Sequence, residues 1–508
     1  MSSISKFRKQ FIASKKRVEI FKYWNTYQIG DLHLYAHPEL KVNFLRNHQF
    51  EIALLGDAFD YKNAQFLNDD ILGDVKDEIK KGISVFEAFN KYAGVYAVFF
   101  LDKLNGKLIT FNDASAQREI YYLNKPGQEL ALGSQTKLIN HFFPSEMDDS
   151  AEAVEFYSSK QFSKRKAYVG NLTEYKHIKH LKPNHYLDLI KREPVRFFPI
   201  EALEKGDFNE VAEKAAKRIR GYLEAAANRY RLLVPVSAGW DSRVILAATK
   251  HITDKCHYYV WMSKPLLEKH PDIRIPQKMM ADFRLKFEIV NKDIKIDQSL
   301  INIVEESITF PNDEFIKYVL GYWAKFENHI SIIGNVSEIA RMEWSYLTGI
   351  NELKIAQLQQ YSSLQYALNY YKKWIAKNKQ YFAGHQYYIV DMLYWEENCG
   401  NGLARSNTES KMGIEYFLPF NSRELLVLLL SVDKKYREKQ NAKLYSKIID
   451  ILWQECAFYP INPGFKKKII SMMQRLRVYS FYRNVLLNLQ ASKMRIKMIR
   501  KKLLSNKK

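Results

Sequence analysis

The run Leu232–Ala248, LLVPVSAGWDSRVILAA, constrains this chain more than any other stretch. It opens with apolar residues over a length that suits a buried strand. A tight turn of small residues follows at Ser237-Ala238-Gly239, and helical spacing takes over near Asp241-Ser242. A strand that turns sharply into a helix leaves the first helical N–H groups unpaired at the positive end of the helix dipole, which is a place for an anion. Small side chains let a phosphate approach the backbone, and the Ser237 and Ser242 hydroxyls add donors. Asp241 cannot meet a phosphate directly. The pattern therefore predicts Mg²⁺ between the two. Val236, Ser237, Ala238, Gly239, Trp240, Asp241 and Ser242 are the candidate phosphate-binding residues, and Asp241 is a candidate metal ligand.

Strand and helix alternate around this loop. Spacing predicts helices over Asn209–Tyr230, Ser242–Lys250 and Ile275–Leu285, and strands over Leu232–Val236, Tyr258–Met262, Phe287–Val290 and Ile330–Ile333. That is the signature of a parallel sheet with helical crossovers. Glu352–Leu452 reads as largely helical. Before Pro199 the texture differs. Short β-branched and aromatic runs at Phe50–Leu55, Tyr92–Leu101, Leu108–Phe111, Glu119–Leu123 and Glu129–Gly133 are split by turn residues, which predicts antiparallel sheets. A helix is expected over Asp70–Lys91, and the first strand near Val18. The divisions are 1–200, 201–465 and a basic amphipathic tail, 466–508.

In this context SAGWDS resembles the loop of ATP-pyrophosphatase enzymes, and residues 92–138 resemble the N-terminal domain of asparagine synthetases. Tyr92-Ala93-Gly94 with VYAVFFLD is similar to that family's G-x-F-A-F-x-x-x-D strand. Asn112-Asp113 with REIYY (Arg118–Tyr122) is similar to its D-x-x-G-x-R-P-L-Y-Y segment. Leu132-Gly133-Ser134 with Lys137-Leu138 is similar to A-S-E-x-K-x-L. PFNSREL, Pro419–Leu425, looks like a branch associated with surface-polysaccharide gene clusters. The resemblance, which extends to β-lactam synthetases, implies an N-terminal glutaminase-like (Ntn-type) αββα sandwich. A parallel-sheet synthetase domain of adenine-nucleotide α-hydrolase type would follow, with ATP and Mg²⁺ as cofactors. The family's nucleophilic cysteine follows the initiator Met, whereas this chain begins Met1-Ser2-Ser3. Gly56–Asp60 stands in place of the asparagine-glycine pair that holds glutamine. The expectation is a structural domain without glutaminase activity.

The resemblance also implies roles further along. Ile330–Trp344, ISIIGNVSEIARMEW, falls where the family has S-G-D-G-x-D-E. Ile333 and Gly334 keep the strand end and its glycine as ATP-binding positions. Asn335 and Val336 replace the first aspartate and second glycine, Glu338 falls at the second aspartate, and Ile339 replaces the glutamate. Glu338 is therefore the candidate second metal ligand, with a catalytic role. Arg341 is a candidate partner of pyrophosphate or adenylate, because a guanidinium pairs bidentately with phosphate. Asp391, Glu396 and Glu397 lie on a predicted helix. Glu396 is taken as the acid that orients or deprotonates an amine, against the plainer reading of surface helix acids. Pro460–Lys468 falls where the family places an intermediate-stabilising lysine. Lys467 is the chosen candidate, with Lys466 and Lys468 as rivals and Lys443 and Lys447 weaker.

Composition limits the remaining choices. Hydrophobic residues make up 47% of the 508, so a sizeable core can form. The three cysteines, Cys256, Cys399 and Cys456, have no metal-ligand spacing and suggest a reducing compartment. No apolar run is long enough to span a bilayer or act as a signal peptide, so a cytoplasmic location is expected. Of the formal charge of +22, +14 falls within Phe465–Lys508, which contains no Asp or Glu. Such a tail suits an anionic membrane face, which would place the protein peripherally at the inner surface. Nucleic acid is a less favoured partner. The expected activity is an ATP-dependent amide-forming ligase that joins a carboxylate, a sugar acid being one class, to ammonia or an amine. Rival readings are a β-lactam or macrocycle synthetase, a tRNA-modifying ATP-pyrophosphatase, and an inactive scaffold.

Overall fold

Side-chain alternation sorts the first half into two stacked sheets. The structure, a computed structural model, describes residues 6–262, 269–291, 298–311, 326, 329–341, 344, 347, 349–362, 364–439, 442–463 and 478–505. Among the described residues, twelve strands precede residue 200: β1 (Phe11–Ser14), β2 (Asn25–Ile29), β3 (Leu32–Ala36), β4 (Val42–Arg46), β5 (Phe50–Phe59), β6 (Ala93–Asp102), β7 (Lys107–Asn112), β8 (Tyr121–Leu123), β9 (Ala131–Gly133), β10 (Ile178–His180), β11 (His185–Asp188) and β12 (Glu193–Arg196). They form two antiparallel sheets in the orders β10-β8-β9-β1-β3-β2 and β12-β11-β7-β6-β5-β4. Phe11 and Ala13 of β1 meet Ala53, Leu55, Ala97 and Phe99 of the other sheet in one apolar layer. The alternate residues Ile52, Leu54, Val98 and Phe100 face outward into a second layer, under the helices Asn68–Lys80 and Val85–Asn90. Ile12 faces the other way, with Leu138 and Ile139 of the helix Thr136–Phe142. Period-two alternation on central strands covered on both faces thus gives helix, sheet, sheet and helix in turn.

Several boundaries differ from expectation. Asp70–Lys91 is two helices, because Gly82 adopts a φ of +88° and Ser84 caps a new start, accepting from the Glu87 N–H at 3.3 Å. The first strand lies at Phe11–Ser14 and not near Val18; Val18 instead donates its N–H to the Tyr35 hydroxyl at 3.1 Å. Glu119 precedes its strand, and its carboxylate accepts from the Tyr121 hydroxyl at 2.6 Å.

The second half carries one parallel sheet. Its strands are β13 (Arg231–Pro235), β14 (Cys256–Met262), β15 (Phe287–Asn291), β16 (His329–Ile332) and β17 (Tyr416–Phe417), in the order β15-β14-β13-β16-β17. The order reverses between β13 and β16, so the loops after these two strands part to opposite sides and leave a crevice at their carboxyl ends. The helix Phe208–Ala227 leads into β13 and packs against the first half, where a Cβ on Gly221 would sit 2.2 Å from the Tyr61 carbonyl oxygen.

Polar side chains clasp the two halves together. Asn421 donates to Asp113 Oδ1 at 2.8 Å and to the Gly94 carbonyl at 2.6 Å, and it accepts from the Ser115 hydroxyl at 2.7 Å. Arg118 pairs with Glu415 at 2.7 Å, and Arg423 donates to Asn90 at 3.0 Å. The PFNSREL segment is therefore part of the contact between the halves. Asp57, within the Gly56–Asp60 stretch, accepts from the Tyr230 hydroxyl at 2.5 Å and from Lys41 at 3.1 Å. Tyr230 immediately precedes β13, so the first half braces the strand that leads to the loop Ser237–Ser242.

Candidate active site at the β13–β16 crevice

The small-residue turn emerges from β13 as the sequence requires, with Gly239 as N-cap of the helix Trp240–Ala248. Gly239 has no side chain with which to cap this helix, and a helix's first-turn amides lack intrahelical acceptors. The two serines hold the turn closed. Ser237 and Ser242 share a hydroxyl–hydroxyl hydrogen bond of 2.8 Å; the Ser237 N–H donates to Ser242 Oγ and the Gly239 N–H to Ser237 Oγ, both at 3.2 Å. The Ala238 N–H donates to Asp272 Oδ1 at 3.0 Å. Three loop amides are thus turned toward oxygens of the protein itself. Ala238 and Val236 are buried and Trp240 is half-buried.

The segment after β16 packs directly on this turn. Ile333 donates its N–H to Phe417 at 3.0 Å, extending the sheet by one residue. A Cβ on Gly334 would lie 2.9 Å from the Asp241 Cβ, so only glycine fits without displacing Asp241. Val336 holds a φ of +77° although it is β-branched and buried. It stands where the resembled motif has its second glycine, and the backbone keeps the left-handed conformation that glycine favours. Such a position stores strain and is held by its surroundings; the neighbouring Ser337 carbonyl accepts from the buried Tyr445 hydroxyl at 2.8 Å.

These elements bring Asp241, Glu338 and Arg341 together. Arg341 Nη2 donates to Asp241 Oδ2 at 2.9 Å and stands 4.0 Å from Glu338 Oε1, while the Ser337 hydroxyl donates to Asp241 Oδ1 at 2.5 Å. The Arg341 side chain is 8% exposed, against 23% for Asp241 and 20% for Glu338. Both carboxylates therefore keep part of their surface in solvent, whereas the guanidinium is nearly buried. Magnesium at phosphate sites takes one or two carboxylates and completes its shell with phosphate oxygens and water. Asp241 and Glu338 match that donor set. Among the described residues no group of three or more His, Cys, Asp or Glu side chains gathers as a metal site. A metal here would need the phosphates to complete its shell.

The remaining candidates lie elsewhere. Glu396 is fully buried in a π-helical turn, Tyr394–Leu403, and both its oxygens take the guanidinium fork of Arg196, one at 2.9 Å. Burial alone would raise its pKa, but the Arg196 charge outweighs that and holds it down to about 2. With no exposed oxygen it cannot serve as a base for an amine, and the assignment of a catalytic role is corrected on that ground. Glu397 is equally enclosed, accepting from Gly170, Tyr370 and Lys182 at 2.9, 2.8 and 3.1 Å. Asp391 is buried against Arg437 at 3.0 Å, and desolvation raises its pKa. None of these acids is on a helix surface. Lys466, Lys467, Lys468 and Ser2 lie outside the described residues.

Three contributors escaped the sequence reading. Asn462 donates its N–H to the Ala238 carbonyl at 2.6 Å. Arg243, fully buried on the helix after the loop, donates to the carbonyls of Cys456, Tyr459 and Pro460 at 2.7, 3.2 and 3.4 Å. These contacts seat residues 456–462 against the loop, four residues short of Lys466. Asp272, in the first turn of the helix Pro271–Asp282, is the third. Only its position in a helical first turn could have flagged it.

No protein-family model matches the chain, and no curated protein matches it. Solved structures align over part of it, among them the following two. Glutamine phosphoribosylpyrophosphate (PRPP) amidotransferase from B. subtilis, complexed with ADP and GMP, is 8% identical over 60% of this chain and 87% of its own, with a TM-score of 0.23. Glutamine-dependent NAD⁺ synthetase from Acinetobacter baumannii, in complex with ADP, is 12% identical over 55% of this chain and 67% of its own, with a TM-score of 0.20.

Proposed function

We propose that the β13–β16 crevice binds ATP with Mg²⁺ and adenylates a carboxylate, which an amine or ammonia then converts to an amide. The observation that carries this reading is the packing of Gly334 on Asp241, which sets an uncapped helix N-terminus beside two carboxylates and a guanidinium. The resemblance to asparagine synthetases supports it. In the first step a carboxylate oxygen attacks the α-phosphorus of ATP and pyrophosphate leaves. In the second the nitrogen attacks the acyl carbon and AMP leaves. The leading amides of the helix Trp240–Ala248, with the Ser237 and Ser242 hydroxyls, would hold the departing phosphates. Asp241 and Glu338 would hold the metal, and Arg341 would fix Asp241 in place.

Lys467 or a neighbouring lysine is proposed to neutralise the reacting phosphate, on sequence order alone. The first half is proposed to be structural. In place of the glutamine-holding pair it offers Asp57, whose carboxylate is engaged by Tyr230 and Lys41. A sugar acid of surface-polysaccharide synthesis is the proposed carboxylate. The test is ATP–pyrophosphate exchange with Mg²⁺ and a panel of uronic acids, amino acids and peptides. Exchange that depends on one carboxylate is the expected result. ATP binding without exchange for any carboxylate would favour a scaffold, and exchange driven by tRNA would move the substrate to nucleic acid.

A further inference from the structure

We infer that the helix Val478–Ser505 lays its outer face on the surface of a bilayer rich in anionic lipid. This does not rest on the ligase reading. The helix packs one side on the helix Glu352–Leu358, burying Leu487 and Asn484 and joining Gln357 Nε2 to Gln490 Oε1 at 3.0 Å. Its other side keeps large apolar side chains in solvent: Phe481 is 73% exposed, Leu489 55%, Ile496 54%, Tyr482 49% and Val485 38%. At about 100° per residue these five fall within one sector of roughly 100°. Leu487 and Asn484 project from the opposite side. The stripe is therefore a face left over after the helix has packed.

Charge decides what covers it. The helix carries seven Lys and Arg residues and no Asp or Glu. A second copy would set this basic helix against its equal. A nucleic-acid backbone would meet the charge but leave the aliphatic stripe in water. A bilayer with anionic headgroups satisfies both, because apolar side chains enter the acyl boundary while Lys and Arg stay among the headgroups. Phe481 and Tyr482 supply interfacial aromatics at one end. No described helix is long and apolar enough to cross a membrane, so this one would lie in the surface plane.

The test is flotation of the full chain with phosphatidylcholine vesicles, with and without about one-third phosphatidylglycerol. Binding is expected only with phosphatidylglycerol and should weaken steeply with salt. Phe481→Ser with Leu489→Ser should abolish it, and Lys493→Gln should lower affinity about fivefold. Pyrophosphate exchange in solution should be unchanged in both variants. Equal binding by the Phe481→Ser, Leu489→Ser variant, or equal binding to uncharged vesicles, overturns the proposal. So does a dimer in light scattering that the same variant dissolves, or retention by RNA with no retention by vesicles.

Discussion

Arg341 donates from Nη2 to Oδ2 of Asp241 at 2.9 Å, across 100 residues of sequence, and so braces the acid in the first turn of the helix Trp240–Ala248. The arrangement separates two roles that a cluster of charges usually blurs. Asp241→Asn keeps the shape but removes the negative charge a metal needs. It should lower Mg²⁺-dependent pyrophosphate exchange by at least about 100-fold, the usual scale for removing an electrostatic group from a reacting centre. Arg341→Gln removes the brace and leaves the acid. Its exchange should fall less and recover partly at high Mg²⁺. Equal losses in both variants with no response to Mg²⁺ would count against a metal held by Asp241.

Gly334 tests the crevice from the other side. Its added Cβ would lie 2.9 Å from the Cβ and 3.1 Å from the carbonyl carbon of Asp241, both rigid parts of the helix start. Gly334→Ala should therefore destabilise the protein by about 1–3 kcal/mol, the cost of overpacking a dense site. It should also raise the Kd for ATP, since relief requires the helix N-terminus to move. Thermal melts with isothermal titration check both. A variant that melts normally and binds ATP normally would mean the two segments are not closely apposed in solution.

The pair of Glu396 and Arg196 makes a pH prediction. The carboxyl is held down at about 2 from an ordinary 4.5, so its stabilisation is complete above 4.5 and is lost as pH falls from 4.5 toward 2. For a fully buried group a shift of that size corresponds to about 3 kcal/mol. His180 and His185 add a separate acid sensitivity. Burial lowers their pKa values to about 4 and 3, so stability from their neutral rings declines from pH 6.5 downward. Glu396→Gln should thus be less stable than wild type at neutral pH, with the gap closing below pH 4.5. Exchange per folded molecule should be unchanged. Urea unfolding across pH 2–7 reads the first, and a specific drop in exchange would return Glu396 to the chemistry.

Legibility in the sequence followed how local each cause was. The turn Ser237–Gly239, the strands around it and the helix Phe208–Ala227 rest on periodicity and turn residues within about twenty positions, and they stand close to where the pattern places them. Asp241, Gly334, Glu338 and Arg341 could be chosen because two short motifs carry them, and the fold brings the motifs together. Glu396 could not be judged that way. Its partner Arg196 lies in the other half of the protein, and no spacing within the helix reveals it. Tyr416-Phe417 was hidden for a related reason: a two-residue strand has no period to read, and only its parallel pairing with β16 defines it. Val336 hid its meaning by chemistry, because a β-branched residue gives no sign of a left-handed turn.

Arg243 carries the last prediction. It lies two residues beyond Asp241 and is fully buried, and its guanidinium reaches the carbonyls of Cys456, Tyr459 and Pro460. Desolvation disfavours its charge, and those carbonyls offset part of the cost. Arg243→Met keeps an unbranched apolar stem and removes every donor. Global stability should change little, since the lost hydrogen bonds and the removed burial of charge oppose each other. The local effect is different. Residues 456–462 lose three anchors and retain the Asn462 contact to Ala238. Amide exchange and proteolytic nicking there should rise about tenfold or more, in a segment that then opens without global unfolding. If that segment steadies the loop, ATP binding should weaken in step with its release. A variant with full protection at 456–462 would show that Arg243 is only filling space, and the loop would then owe its shape to Ser237, Ser242, Asp272, Gly334 and the Asn462 contact.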